Sequence, residues 1–248
     1  MNNSTRQERE AEHFDRLASN TGEVWWGSVT PAGIARLERR ARAVADQLKY
    51  FSDPCVLELG CGTGALTKPL VAVLPNIRLV GIDISPKTIG VIRKEFSVNP
   101  RVRFEVGDAA QAPFLDASFD GVIGNSLLHH VSIEETLHEA FRVLRSGGVI
   151  WFSEPNMMNP QVALERNVRF IGKRLQNSED ETAFFRWSFA RLLRKAGFIK
   201  VSVRPFDFMH PALPTSLIST ADIVGRFIER VPLVREIAGS LLISAKKP

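Results

Sequence analysis

A three-layer α/β fold, in which a doubly wound and mainly parallel sheet carries helices on both faces, is what this sequence predicts. Three observations lead there. From Pro54 onward, short apolar runs alternate with segments of helical period. The stretch "VLELGCGTG" (56–64) packs three glycines into five positions directly behind an apolar run. Acidic residues stand at or near the ends of three successive apolar runs, as Glu58, Asp83 and Asp108.

Residues 1–53 read as a helical N-terminal cap. "EREAEHFDRLAS" has helical character and is followed by a Gly/Trp turn around Gly22–Gly27. "PAGIARLERRARAVADQLKYF" (31–51) then sets Ile34, Leu37, Ala41, Val44, Leu48 and Phe51 at helical spacing, with Pro31 suited to a start and Asp53-Pro54 to a stop. Residues 54–248 form the main domain. Strands are predicted at 55–60, 78–84, 102–108, 119–126 and 148–154, and helices at 65–74, 86–97 and 133–145. Ser85-Pro86 gives the second of these helices a cap and a first-turn proline. Ser132 and Glu135 predict a capping box for the third, closed by Gly147-Gly148. Two insertions follow, at about 155–186 and 209–239. Between them lie the helix "RWSFARLLRKAGF" and the strand "IKVSVRPFDF"; "SLLISAKK" supplies the terminal strand. Within the second insertion a helix is predicted over 217–230, where Leu217, Ala221, Val224 and Ile228 read as a packed face.

Composition narrows the function. The chain has 248 residues, 44% hydrophobic and 24% charged, as a soluble globular protein does. No apolar run reaches the roughly 18–20 residues needed to span a bilayer, and "MNNSTRQEREAEHFDR" lacks the apolar core of a signal peptide, so a cytoplasmic location is expected. Cys55 and Cys61 are too few for a disulfide framework, and no spacing suggests a metal centre. The net charge of +5 is scattered, which argues against a specific nucleic-acid partner.

The glycine loop raises the question of what must approach the backbone so closely. A strand, then Gly60-x-Gly62-x-Gly64, then a helix start offers unhindered backbone and unpaired N–H groups to a ligand. Glu58 can hydrogen-bond an ammonium, Asp83 can grip a ribose diol, and Asp108 is set for an adenine amino group. No lysine of the phosphate-binding type follows the loop. The ligand therefore carries an amine, a ribose and a base. Gly60, Gly62 and Ala65 also satisfy G-x-G-x-x-A, so an NAD(P)-dependent oxidoreductase is the alternative.

These segments resemble the class I S-adenosylmethionine-dependent methyltransferases, small-molecule type. "VLELGCGTG", "GIDIS", "VGDA" and "FDGVIGNSLLHHV" look like the first four motifs, and "RVLRSGGVIWFSEP" like the approach to the fifth strand. The resemblance runs from about Pro54 to Glu154. It implies a seven-stranded sheet with an antiparallel last strand, and S-adenosyl-L-methionine across the strand ends, with S-adenosyl-L-homocysteine as product. It further implies that Gly60, Cys61 and Gly62 border the methionine part and Glu58 supports its amine. Asp83 would hold the ribose, Ile84 pack on the adenine, Asp108 and Ala109 contact its edge, and the carbonyl of Asn125 lie near the amine. Candidates for proton transfer are His129 and His130 after the fourth strand, with Glu154 and His210 as further groups facing a substrate; each also has a purely structural reading. Phe14, Trp25 and Trp26 either cap the cofactor or belong to the core. The acceptor expected is a small molecule, apolar or lipid-like given the Phe-, Leu-, Ile- and Pro-rich insertion, methylated at oxygen, nitrogen or carbon. A non-catalytic cofactor-binding protein would share these motifs.

Overall fold

A computed structural model describes residues 8–12, 14–15, 29–167 and 183–248. Trp25, Trp26, the Gly22–Gly27 turn and residues 168–182 of the first insertion lie outside the described residues. In chain order the elements are α1 (Pro31–Leu48), β1 (Cys55–Leu59), α2 (Thr67–Val73), β2 (Arg78–Asp83), α3 (Pro86–Glu95), β3 (Val102–Val106) and β4 (Phe119–Asn125). They continue as α4 (Ile133–Val143), β5 (Leu144–Pro155), α5 (Pro160–Asn167), α6 (Arg186–Lys195), β6 (Ile199–Phe206), α7 (Ile218–Ile228) and β7 (Ser240–Lys246).

Seven strands make one sheet in the order β3-β2-β1-β4-β5-β7-β6. The pairings among β1 to β5 are parallel, and β7 runs antiparallel to both β5 and β6. Side-chain alternation explains why the strands read as nearly continuous apolar runs, because both faces are covered. Leu57, Val122, Phe152 and Ile243 point to one face and pack with α4 and α6 residues such as Leu137, Phe189 and Leu193. Val56, Ile123, Trp151 and Leu242 point to the other, against Val44, Leu48, Leu70 and Ile92 of α1, α2 and α3. The chain leaves β1 for β2 on one side and returns to β4 on the other. That reversal opens a crevice beyond the carboxyl ends of β1 and β4, where open α/β sheets bind their ligands.

Several sequence expectations are corrected. α4 ends at Val143, and β5 begins at Leu144 rather than at Gly148; Gly147, with φ +80°, lies inside β5 where its pairing with β4 shifts register, instead of closing the helix. Ser132 is the N-cap residue, but its side chain makes no capping bond, so the predicted capping box is not formed through it. Ser85 does cap α3, accepting from Thr88 N at 3.1 Å. The packed face expected over 217–230 forms only in part: Ala221 and Ile228 are half-buried and Gly225 is the one buried residue of α7, while Leu217 and Val224 are exposed.

Candidate active site

β1 ends at Leu59, and the chain turns at once through Gly60 and Gly62 with φ of +63° and +53°. That backbone region costs an L side chain about 1–2 kcal/mol. The two glycines differ in their surroundings. A Cβ on Gly60 would stand 2.7 Å from Leu127 Cδ1, whereas one on Gly62 would meet nothing within 4 Å. Gly60 thus lets the loop after β4 close against it, and Gly62 borders open space. The turn is tied to β2: Cys61 N donates to Ile82 O at 3.0 Å, and Gly62 N to Asp83 Oδ2 at 3.0 Å. The Cys61 side chain is buried beside Gly81, so this residue offers the site its backbone and not its thiol.

Asp83, at the end of β2, accepts from Ser85 N as well, through Oδ1 at 3.0 Å. Burial pushes its carboxyl above the usual range, against those two backbone bonds. Ser85 Oγ donates to Asp15 Oδ1 at 2.5 Å, which brings the N-terminal segment to the same spot. Glu58 is fully buried, and burial lifts it to about 8; Thr67 Oγ1 donates to its Oε2 at 2.5 Å. Ile84 follows β2 half-buried, Ala109 is buried beyond β3, and Asp108 Oδ1 accepts from Ala110 N at 2.9 Å. At the end of β4, Asn125 Oδ1 is a buried acceptor with no hydrogen-bond partner among the described residues.

A second cluster sits between the ends of β4 and β5. Glu154 Oε1 accepts from Leu127 N at 3.0 Å and Leu128 N at 2.9 Å, and its Oε2 lies 2.7 Å from His129 Nδ1. Burial raises Glu154 to about 7, with those bonds opposing. Burial lowers His129 to about 3, helped by the positive charge of Arg166 on α5. Burial thus favours the neutral imidazole, whose Nδ1 shares this hydrogen bond with the Glu154 carboxyl. His130 packs on His129 with centroids 4.1 Å apart and meets the edge of Phe14 at 5.2 Å. Its Nδ1 lies 3.1 Å from Glu10 Oε2, and burial holds it down to about 4. His210 stands apart in an exposed turn, where its Nδ1 accepts from Ala212 N at 3.1 Å. Among the described residues no hydrogen bond or ion pair joins it to His129, His130 or Glu154.

The structure thus gathers twelve of the thirteen sequence-derived candidates around the carboxyl edge of β1, β2, β3, β4 and β5. Sequence reasoning missed Glu10, Asp15, Thr67, Leu127 and Arg166. Only for Glu10 was a local signal available, its spacing of one helical turn from Phe14.

Comparisons with known proteins agree with this layout. The family described as "Methyltransferase domain" matches residues 56–148. A methyltransferase-like protein of Schizosaccharomyces pombe is 29% identical over 66% of this chain and 62% of its own length. The demethylmenaquinone methyltransferase of Symbiobacterium thermophilum is 34% identical over 55% of this chain and 55% of its own. The chain therefore spans little more than half the length of these two relatives. Among solved structures, an S-adenosylmethionine-dependent methyltransferase of Thermotoga maritima superposes with a TM-score of 0.67 at 19% identity, over 96% of this chain and 99% of that one.

Proposed function

The chain belongs to the class I S-adenosylmethionine-dependent methyltransferases, and on that premise we propose that it moves a methyl group from S-adenosyl-L-methionine to a small apolar acceptor of quinone type. One observation carries the reading: an unhindered glycine turn at the β1 end stands among the Glu58 and Asp83 carboxyls at the ends of β1 and β2 and the buried, unpartnered Asn125 Oδ1 at the end of β4. The acceptor class is supported by the printed activity of the bacterial relative and by the apolar second insertion.

The residues present fit the cofactor. Asn125 Oδ1 is an orphaned buried acceptor suited to an ammonium, and the space beside Gly62 is free for a ligand that lies along the backbone. Glu58 would sense the same ammonium, Asp83 the ribose hydroxyls, and Ile84, Asp108 and Ala109 the adenine. When bound, this cofactor supplies a sulfonium methyl already activated for transfer. What remains for the protein is to orient the acceptor, exclude water and manage a proton. Orientation alone is worth up to roughly 7–11 kcal/mol. Glu154 holds Leu127 and Leu128 by their backbone N–H groups, which fixes the loop that covers Gly60 and sets His129 in place. Held down to about 3 by burial, His129 is too weak a base to assist at neutral pH unless a bound acceptor changes its surroundings; general-base help of about 10²–10⁴ in rate would require its pKa to rise toward 7 in the complex. Phe14 and Glu10 close the cluster from the N-terminal side.

The test is calorimetric titration with S-adenosylhomocysteine and, separately, NADH, followed by incubation with labelled methyl donor and prenylated demethyl-naphthoquinol beside catechol and amine acceptors. Binding of the first ligand, lost in Asp83→Ala, and label in the naphthoquinol would support the reading. Binding of NADH alone would overturn it.

A further inference from the structure

α7 is the one long helix of the second insertion, and it turns its apolar side outward. At 3.6 residues per turn, Ile223, Phe227 and Val224 fall within an arc of about 100°. Their exposures are 70%, 68% and 48%. Leu217, before the helix, and Leu233, after it, extend the patch at 50% and 84% exposure. Leu233 also takes φ +69°, a conformation unfavourable for an L side chain, so the backbone is strained where it presents this leucine to solvent. Packing does not explain the pattern. The side of α7 that meets the body carries Gly225, Asp222, Glu229 and the half-buried Ile218, Ala221 and Ile228, and Arg39 of α1 holds both acids, so Ile223, Val224 and Phe227 are apolar residues beyond those the body covers.

Directly beside the apolar stripe lies a pocket of about 280 Å³ between α1, the end of β6 and the end of α7. Arg39, Arg42, Arg204, Arg226 and Arg230 line it, against two acids, Asp46 and Glu229. Arg204 and Arg230 have no acidic partner among the described residues. β6 runs parallel to β5, so its end at Phe206 lies on the same sheet edge as the cluster around Glu154. Exposed apolar side chains flanked by arginines, an arginine-lined depression of about 280 Å³ beside them, and proximity to the site edge occur together.

We propose that α7 and the adjoining turn form a docking surface for an anionic lipid bilayer. Phe227, Ile223 and Leu233 enter the interface, and the arginine pocket receives an acidic headgroup. A helix with an apolar stripe bordered by arginines lies in the plane of such an interface, held jointly by apolar burial and charge. The proposal rests on the apolar-acceptor reading in one respect only, that such an acceptor would be drawn from the bilayer.

The full chain is sedimented with phosphatidylcholine vesicles and with vesicles containing phosphatidylglycerol, at low and high salt, beside light scattering without lipid. Expected is binding to the anionic vesicles, weakened by salt and absent with phosphatidylcholine alone. Phe227→Asp with Ile223→Asp should lower the partition coefficient at least tenfold. Arg204→Ala and Arg230→Ala should each lower it roughly five-fold. Unaltered binding in these variants, or none by the parent, overturns the proposal. So does a concentration-dependent dimer abolished by Phe227→Asp, which would give the face to a second copy. All these positions are exposed, and calorimetry with S-adenosylhomocysteine on each variant serves as the separate readout. Vesicle binding without S-adenosylhomocysteine binding would sink the methyltransferase reading alone; the reverse would sink the docking surface alone.

Discussion

Replacing Gly62 by alanine separates what the glycine turn does for the fold from what it does for a ligand. At φ +53° an alanine is strained by about 1–2 kcal/mol. The loss of unfolded-chain freedom returns about 0.4–1 kcal/mol of that. No neighbour lies within 4 Å of the added carbon, so no packing cost is added. The net is about 1 kcal/mol, or a fall in Tm of about 2–4 °C for a chain of this size. The added methyl, however, projects into the space assigned to the cofactor. Affinity for S-adenosylhomocysteine should drop at least tenfold, about 1.4 kcal/mol. Gly60→Ala is the contrasting variant. It carries the same strain at φ +63° and must also displace Leu127 from 2.7 Å, an overpacking cost of about 1–3 kcal/mol. Its Tm should fall two to three times as far. Thermal unfolding and calorimetric titration on both proteins decide the matter. A folded Gly62→Ala protein that binds S-adenosylhomocysteine like the parent would refute the idea that the ligand lies against this backbone. A Gly60→Ala protein no less stable than Gly62→Ala would refute the packing argument.

Glu58 is held near 8 by burial, so it is mostly protonated at pH 7 before a cation arrives. An ammonium beside it favours the carboxylate; binding of S-adenosylhomocysteine should release a proton, seen as a buffer-dependent enthalpy that vanishes in Glu58→Gln. Glu154, raised from 4.5 to about 7, favours the folded state while protonated and costs stability as pH rises through that window. Relative to the parent, Glu154→Gln should therefore gain up to about 3 kcal/mol between pH 4.5 and 7 on top of a constant loss, measured by guanidinium unfolding. His129 and His130, lowered from 6.5 to about 3 and 4, act oppositely: their contribution is lost as pH falls below 6.5, a loss that His130→Gln should halve. Asp207 is opposed by burial, yet the charges of Arg36 and Arg40 hold it below the usual carboxylate range. Asp207→Asn leaves the buried Arg40 unpaired and should cost about 3–5 kcal/mol, read as a Tm drop of about 6–20 °C.

Where the sequence was readable, a local rule was sufficient. Val56 and Leu57 are apolar in succession because both sheet faces are covered, which distinguishes a parallel interior strand from an exposed one. Asp83 closes β2 because a carboxyl there can bond both the glycine turn and the α3 start. Other features obey no local rule. The period of Leu217, Ala221, Val224 and Ile228 is the same whether a helix packs inward or faces out. Only the positions of Gly225 and of Arg39, which reaches Glu229 from α1, determine which side meets the body. Likewise Gly147 could end a helix or sit at an irregularity inside a strand. β5 pairing with β4 from Leu144 onward decided it, since Leu144 lies opposite Phe119.

The same division explains why the cofactor half of the site is legible and the acceptor half is not. Groups assigned to the cofactor are backbone at one turn and acids at strand ends, each placed by its own strand. The groups that we propose face the acceptor come from distant segments: Glu10 and Phe14 from the N-terminus, His129 after β4, Glu154 on β5 and Arg166 on α5. Their roles depend on one another. Burial that leaves His129 neutral is completed by Phe14 and Glu10 over its neighbour His130. Glu154 can support His129 only because its other oxygen is occupied by the Leu127 and Leu128 amides. The environment of the histidine pair after β4 is set by this packing, and no spacing along the chain encodes it.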